Sequence, residues 1–257
     1  MVEQIQSEFG RQAVNMSVAP AFNETQTLQR IRVALGQAPI GRALEIACGP
    51  GIVAEAIAPL VSELSCLDAT PEMLDQAKVR LKKSGLSNVK FHQAFAEDLP
   101  FGDAEFDVII SRLSFHHFND IEAVLAECRR VLRPQGRLVL ADVISSANQD
   151  ESRLHNALEQ LRDPTHVHMF SRAEMMEALH AGGFTPFSVE DWTQARNFTE
   201  WAKVISVPER TDPLREIMLT FCRAELDPGI QLHQVDGDIQ FTHSWLLVIA
   251  ELIDQTR

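Results

Sequence analysis

Between Arg42 and Val143 the chain alternates short runs of consecutive apolar residues with segments of helical period, and this rhythm restricts the fold more than any other feature. "RALEIA" (Arg42–Ala47), "ELSCLD" (Glu63–Asp68), "NVKFHQA" (88–94), "FDVIIS" (Phe106–Ser111) and "RLVLADV" (137–143) read as strands. Val108-Ile109-Ile110 and Leu138-Val139-Leu140 are apolar at successive positions, as strands covered on both faces must be. The intervening segments read as helices over Ile52–Ala58, from Pro71 to a stop at Gly85, and over Ile121–Leu132. Thr70 stands as N-cap of the second, with Pro71 at its first position. Strict alternation of this kind predicts an α/β fold with a doubly wound, mostly parallel sheet.

Beyond Val143 the rhythm changes. Residues 148–168 read as a helix followed by the polar "RDPTHVHMF", and Ser171 with Glu174 forms a capping box for a helix ending near Gly182-Gly183. "FTPFSVEDW" is a sixth strand, and "IQFTHSWLLVIAEL" holds a final one, for a seven-stranded sheet. Residues 193–236 read as a helical cap inserted before that last strand, too small to hold a core of its own. Residues 1–40 read as a helical lid of one or two helices over the sheet's ligand edge, and 41–257 as the main domain.

The first strand leads into "CGPG" and then a helix, and in an open parallel sheet ligands bind beyond the carboxyl ends of the strands. Gly49 and Gly51 lack the Cβ atoms that would hold a ligand off the backbone. "GPGIVA" (Gly49–Ala54) matches a dinucleotide fingerprint, with Asp68 near the offset of a ribose-reading acid. Glu45, just before the glycines, speaks for a different ligand, because a carboxylate there repels a pyrophosphate and attracts an ammonium group. Each residue also has a plainer reading: Asp68 as a helix-leading cap, Met73 as core, Glu97 in a solvated turn, and Arg112 paired with a surface acid.

Taken in order, "LEIACGPG", "LDATPEML", "AEDLPF", "FDVII", "HHF" and "RRVLRPQGRLVLAD" resemble the successive motifs of the class I S-adenosylmethionine-dependent methyltransferases, in particular the ubiquinone and menaquinone biosynthesis C-methyltransferases. The resemblance is close over Ala43–Val143 and looser over Phe9–Pro20. It implies S-adenosyl-L-methionine as cofactor, with Ala47 and Ala69 among the residues that bind it, Glu45 near the methionine amino group, and Gly49 and Gly51 under the methionyl and ribose portions. It further implies that Asp68 takes the ribose hydroxyls, that Met73, Ala96 and Glu97 lie at the adenine, and that Ser111 and Arg112 lie beneath the methionyl group. Two positions depart from the family pattern: Phe95 replaces an aspartate that accepts from the adenine amino group, and Met16 replaces a tyrosine that approaches the cofactor. The chain contains no tyrosine, so a Tyr-Lys reductase pair is excluded, although a nicotinamide-dependent oxidoreductase is the reading that GxGxxA alone would give. Phe95 and Met16 also keep open a cofactor-assisted cyclisation or elimination in place of methyl transfer.

Methyl transfer to a phenol, enol or acidic carbon needs alignment, exclusion of water and removal of a proton. Histidine suits the last task, and His116 and His117 follow the fourth strand directly. The resembled quinone enzymes carry an Arg-Asn pair at these positions, so their acceptor activation does not transfer; His117 as a packed residue capping the next helix is the plainer alternative. Met16, Arg162 and His166 are candidates for contact with a small organic acceptor, phenolic, quinoid or heterocyclic, methylated on oxygen, nitrogen or carbon. His166 and His168 have an HxH spacing that on a strand would put both on one face. No further Cys/His cluster in the sequence supports a metal, and none is expected.

A formal net charge of −13 argues against nucleic acid and anionic membranes as partners. The N-terminal "MVEQIQSEFGRQ" lacks the pattern of a signal peptide, and Cys48, Cys66, Cys128 and Cys222 lie in apolar contexts without CxxC spacing. The expectation is a cytoplasmic enzyme with buried thiols, for which a homodimer is compatible with the sequence.

Overall fold

The computed structural model describes residues 2–36 and 38–253; the parts of the lid and main-domain expectations that fall on residues 1, 37 and 254–257 lie outside the described residues. Helices α1 (Val2–Val18) and α2 (Thr25–Leu35) precede strand β1 (Ile40–Ile46). Then follow α3 (Ile52–Ile57), β2 (Val61–Asp68), α4 (Pro71–Lys83), β3 (Val89–Gln93), β4 (Phe106–Arg112), α5 (Ile121–Val131) and β5 (Leu132–Ile144). The remainder holds α6 (Gln149–Arg162), α7 (Arg172–Ala181), β6 (Phe184–Asn197), α8 (Phe198–Ile205), α9 (Pro208–Arg223), β7 (His233–Val235) and β8 (Asp238–Leu252).

The sheet runs in the order β3-β2-β1-β4-β5-β8-β6, with the short β7 paired onto β8. Pairs from β3 across to β5 are parallel, and β8 is antiparallel to both β5 and β6. The strand order therefore reverses between β1 and β4, which opens a crevice at their carboxyl ends. Successive strand residues feed two separate cores. Val108 and Ile110 pack with Ile31, Ala54 and Leu74 of the α2–α4 side, while Ile109 packs with Leu125, Cys128 and Leu179 of the α5–α7 side. This two-sided burial is the physical cause of the unbroken apolar runs in the sequence.

Three details differ from the sequence expectation. Strand β6 runs on to Asn197 in register with β8, so the first five residues of the expected 193–236 cap are strand, and the hairpin strand β7 lies within that segment. His166 and His168 lie on an irregular connection between α6 and α7 rather than on a strand. Cys48, Cys66 and Cys128 are buried, but Cys222 is only half-buried near the end of α9, at the edge of the cluster that holds Leu214 and Met218.

Helix α1 lies across the crevice and is tied down on both sides. Gln6 Nε2 donates to the Ala69 carbonyl at 3.0 Å beside β2. On the other side Arg210 of α9 donates through both terminal nitrogens to the Glu8 carboxylate, at 2.8 and 2.7 Å, and Asn15 donates to the Val204 carbonyl at 3.2 Å. The N-terminal helix thus connects the main sheet to α8 and α9. Among the described residues no helix is long and apolar enough to cross a membrane.

Candidate active site

Two adjoining chambers occupy the crevice. The first, of about 950 Å³, lies beyond β1 and β2 and is walled by Glu45, Ala47, Gly49, Asp68, Ala69, Met73, Phe95, Ala96, Glu97 and Arg112, with Met16 closing it from α1. The second, of about 800 Å³, lies beyond β5 and β8 and includes Val143, Glu159, Arg162, Arg196, Trp201, His243 and Trp245. Phe9, Met16, Phe22, Leu113 and His117 line both. Ala47 and Leu113, at the ends of β1 and β4, have positive φ angles of 50° and 54°, so left-handed backbone marks both lips of the crevice.

The first chamber carries unspent polar capacity. Glu45 is buried and its Oε2 has no hydrogen-bond partner among the described residues. Burial pushes its carboxyl well above the usual range, against the pull of the Arg112 guanidinium. Arg112 donates from one terminal nitrogen to the Phe22 carbonyl at 2.8 Å, while its Nε and Nη2 are buried and unpartnered. Burial lowers its pKa to about 10. A carboxylate and a guanidinium left open side by side match the ammonium and carboxylate of an α-amino acid. Asp68 accepts from the Gly49 N–H at 2.8 Å and the Thr70 N–H at 2.9 Å, one on each oxygen, and burial raises it to about 6. Each of its oxygens retains a lone pair for a ligand hydroxyl.

The two turn glycines serve different ends. A Cβ on Gly49 (φ +52°) would meet nothing within 4 Å, because it would project into open space at a residue that lines the chamber. A Cβ on Gly51 (φ +77°) would stand 2.8 Å from Ala77 Cβ and Leu81 Cδ1 of α4. Gly51 lies outside the chamber lining, and its need is helix packing rather than ligand contact. Gly51→Ala is expected to destabilise the fold by about 3 kcal/mol through overpacking and strain. Gly49→Ala should cost only about 1 kcal/mol of stability while weakening binding in the first chamber at least tenfold. Thermal melts beside ligand titration of both variants check the contrast.

Two other expected contacts are also displaced. Ser111 is buried at the end of β4, where its hydroxyl bonds that of Ser114 instead of reaching a chamber. His166 lies behind the histidine pair, its Nε2 bonded to Asn156 Oδ1 at 2.8 Å. His168 is partly exposed beside Glu174 at 3.5 Å, so the two histidines do not converge.

His116 lines the second chamber, and its Nδ1 lies 2.7 Å from Asp142 Oδ1. Asp142 also accepts from the Ser114, Phe115 and Val143 N–H groups at 3.2, 2.9 and 2.8 Å, which fixes its carboxylate. Burial alone would lower the His116 pKa; the charge and hydrogen bond of Asp142 override it and hold the ring above the ordinary histidine value. His117 donates from Nδ1 to the Thr165 carbonyl at 3.0 Å and packs edge-on against Phe9 of α1. Burial, aided by the charge of His116, lowers it to about 4, so His117 is neutral.

A family model described as a methyltransferase domain matches residues 44–140. The uncharacterized methyltransferase YcgJ of Bacillus subtilis is 35% identical over 162 residues, 63% of this chain and 64% of that protein. The YcgJ crystal structure superposes with a TM-score of 0.80 at 28% identity, covering 90% of this chain and all of that one. The chain belongs to the class I S-adenosylmethionine-dependent methyltransferases. An uncharacterized Escherichia coli protein, YafE, is 32% identical over 149 residues, 58% of the methyltransferase and 72% of YafE. The 27-O-demethylrifamycin SV methyltransferase of Amycolatopsis mediterranei is 32% identical over 187 residues, 71% of this chain and 66% of that enzyme. The aligned region thus spans just under two thirds of the first of these relatives.

Family membership sets aside the nicotinamide reading of the glycine turn and implies S-adenosyl-L-methionine as cofactor. The first chamber of this methyltransferase fits that molecule: an unpartnered carboxylate and guanidinium for the amino-acid end, an open cradle at Gly49, and a two-oxygen acceptor at Asp68. Sequence reasoning missed Asp142, Glu159, Arg196 and His243. Asp142 ends the "RLVLAD" run beside the fourth strand, so its place next to His116 was signalled. The other three reach the chamber from α6, β6 and β8, and no local pattern marks them.

Proposed function

We propose that this methyltransferase methylates an ionisable oxygen of a small, largely apolar acceptor held in the second chamber, with His116 as the base. The observation that carries this reading is the His116–Asp142 pair at 2.7 Å on the chamber wall. Asp142 accepts a hydrogen bond from Nδ1–H, which leaves the Nε2 lone pair as the basic site. Because Asp142 is pinned by three backbone donors, the imidazole is held in one tautomer and orientation. When bound, the cofactor supplies an activated methyl group on a sulfonium, and the chain need only align the acceptor, keep water out and take its proton.

The walls suit that task. Phe9, Phe22, Met169, Trp201 and Trp245 offer apolar and aromatic surface for a ring system, with Arg162 and Arg196 among the polar groups. Helix α1 contributes Phe9 and Met16 to the walls of both chambers. Glu45, Arg112 and Asp68 are proposed to hold the amino-acid end and ribose of the cofactor, and Ala96 and Glu97 its adenine. That one relative is named for methylation at a hydroxyl oxygen also supports the reading.

A screen of phenolic, enolic and alcohol acceptors tests it. The expected result is S-adenosylhomocysteine formed one-for-one with an O-methylated product. Product that forms without S-adenosylhomocysteine would instead favour a cofactor-assisted rearrangement, and methylation confined to carbon or nitrogen would overturn the choice of oxygen.

A further inference from the structure

Beside the second chamber lies a cluster that the methyl-transfer reading leaves unused. His155 and Glu159 are one turn apart on α6 and so share a face. His243 sits on the buried face of β8 between Phe241 and Trp245, opposite that helix. All three side chains are buried, and their ligand atoms lie within 4.8 Å of one another. We infer that His155, Glu159 and His243 form a binding site for one divalent transition-metal ion of the zinc class, open toward the second chamber.

The hydrogen bonding supports this assignment. Arg162 directs both Nε and Nη2 at Glu159 Oε2, each at 3.0 Å, which locks the carboxylate and leaves Oε1 turned to the histidines. Oε1 stands 3.6 Å from His243 Nε2 and 4.0 Å from His155 Nε2. Neither distance is a hydrogen bond, and His243 Nε2 is a buried nitrogen with no hydrogen-bond partner among the described residues. Three potential ligand atoms thus converge without hydrogen-bonding one another, and the His243 nitrogen carries the cost of burial without a partner. An ion between them would satisfy all three. Nitrogen and carboxylate ligands bind zinc at about 2.0–2.2 Å, so a four-coordinate site needs ligand atoms roughly 3.3 Å apart and the side chains must close by about 1.5 Å at most. Two imidazoles and one carboxylate form a donor set for zinc or ferrous iron, and both leave positions for a further ligand. Glu159 and His243 line the second chamber, so those positions face the acceptor space. Arg162 then serves as the outer hydrogen-bond partner that orients a metal-binding carboxylate.

Titration of the full-length protein with Co²⁺, read by visible absorption, tests the site, with Zn²⁺ uptake by elemental analysis alongside. The expected result is about one ion per chain and the intense d–d band of a low-coordinate site, without a thiolate charge-transfer band, since no cysteine belongs to the cluster. His243→Gln and Glu159→Gln should each weaken binding at least about 100-fold, and Arg162→Lys about tenfold. His180→Ala and His233→Ala, on the outside of the molecule, should change nothing. His155→Asn carries the test if His243→Gln does not fold. A folded wild-type protein that takes up neither ion at micromolar concentration would overturn the assignment, as would binding that survives the His243 or His155 and Glu159 changes. The readout needs neither cofactor nor acceptor, so it stands apart from the methyl-transfer proposal.

Discussion

Asp68→Ala should leave S-adenosylmethionine binding at least about 100-fold weaker, the largest loss expected from any single change in the first chamber. Two charge-assisted hydrogen bonds to ribose hydroxyls contribute about 3 kcal/mol or more together, and a factor of 100 corresponds to about 2.7 kcal/mol. The same carboxylate also organises the turn, because its oxygens accept from Gly49 and Thr70. Asp68→Asn should fall between wild type and alanine, since an amide can keep only one of those acceptor positions. The carboxyl is raised to about 6, with burial as the main cause. The ionised form is the better hydroxyl acceptor, so affinity should climb as pH rises through 6. Glu45, also raised by burial, pushes in the same direction once an ammonium group faces it. Ligand binding near pH 6 should therefore release protons, which calorimetry in buffers of different ionisation enthalpy measures. The sign for stability is opposite in the free protein. A carboxyl raised on folding binds more protons folded than unfolded, so its contribution is largest in acid and is lost as pH rises from about 4 through 6. The thermal shift produced by the cofactor should accordingly grow over that range. Cofactor affinity indifferent to pH and to the loss of Asp68 would remove this residue from the ribose site.

The central sheet and half of the site were legible because they rest on local pattern. Strands covered on both faces must be apolar at consecutive positions, and Val108-Ile109-Ile110 reads so before any coordinates are seen. A glycine turn between strand and helix can be located, but its two glycines cannot be told apart. Gly49 opens toward a ligand and Gly51 toward Ala77 of α4, and only the packing of a helix about 25 residues later distinguishes them. The HxH spacing of His166 and His168 could not show that the segment is irregular, with one ring buried and the other partly exposed. The second chamber was least legible. Phe9, Glu159, Arg196 and His243 come from four separate elements, and their meeting is a property of the topology of β6 and β8.

His116→Asn is expected to lower kcat by about 10²–10⁴, the usual contribution of a positioned general base, while the Kd for the cofactor stays within a factor of about two. The chemistry assigns the ring to the acceptor side, so binding in the first chamber should not depend on it. Asp142→Asn separates orientation from basicity. With its charge removed, burial becomes the dominant influence on His116, and the ring pKa should drop from above the ordinary 6.5 to below it. The ascending limb of the pH–rate profile should move to lower pH in Asp142→Asn, even as the plateau rate falls by about tenfold or more. A purely structural role for Asp142 would lower the rate without moving the limb. The His116–Asp142 pair also has a signature in stability. A histidine raised on folding stabilises the protein fully below its unfolded pKa and loses that contribution as pH rises through the folded value. Asp142→Asn should therefore cost more stability at pH 5.5 than at pH 8.5, beyond the loss of the backbone contacts to whichever oxygen becomes the amide nitrogen, which is the same at both. A limb that stays in place, with equal destabilisation at the two pH values, would show that the carboxylate does not set the state of the imidazole.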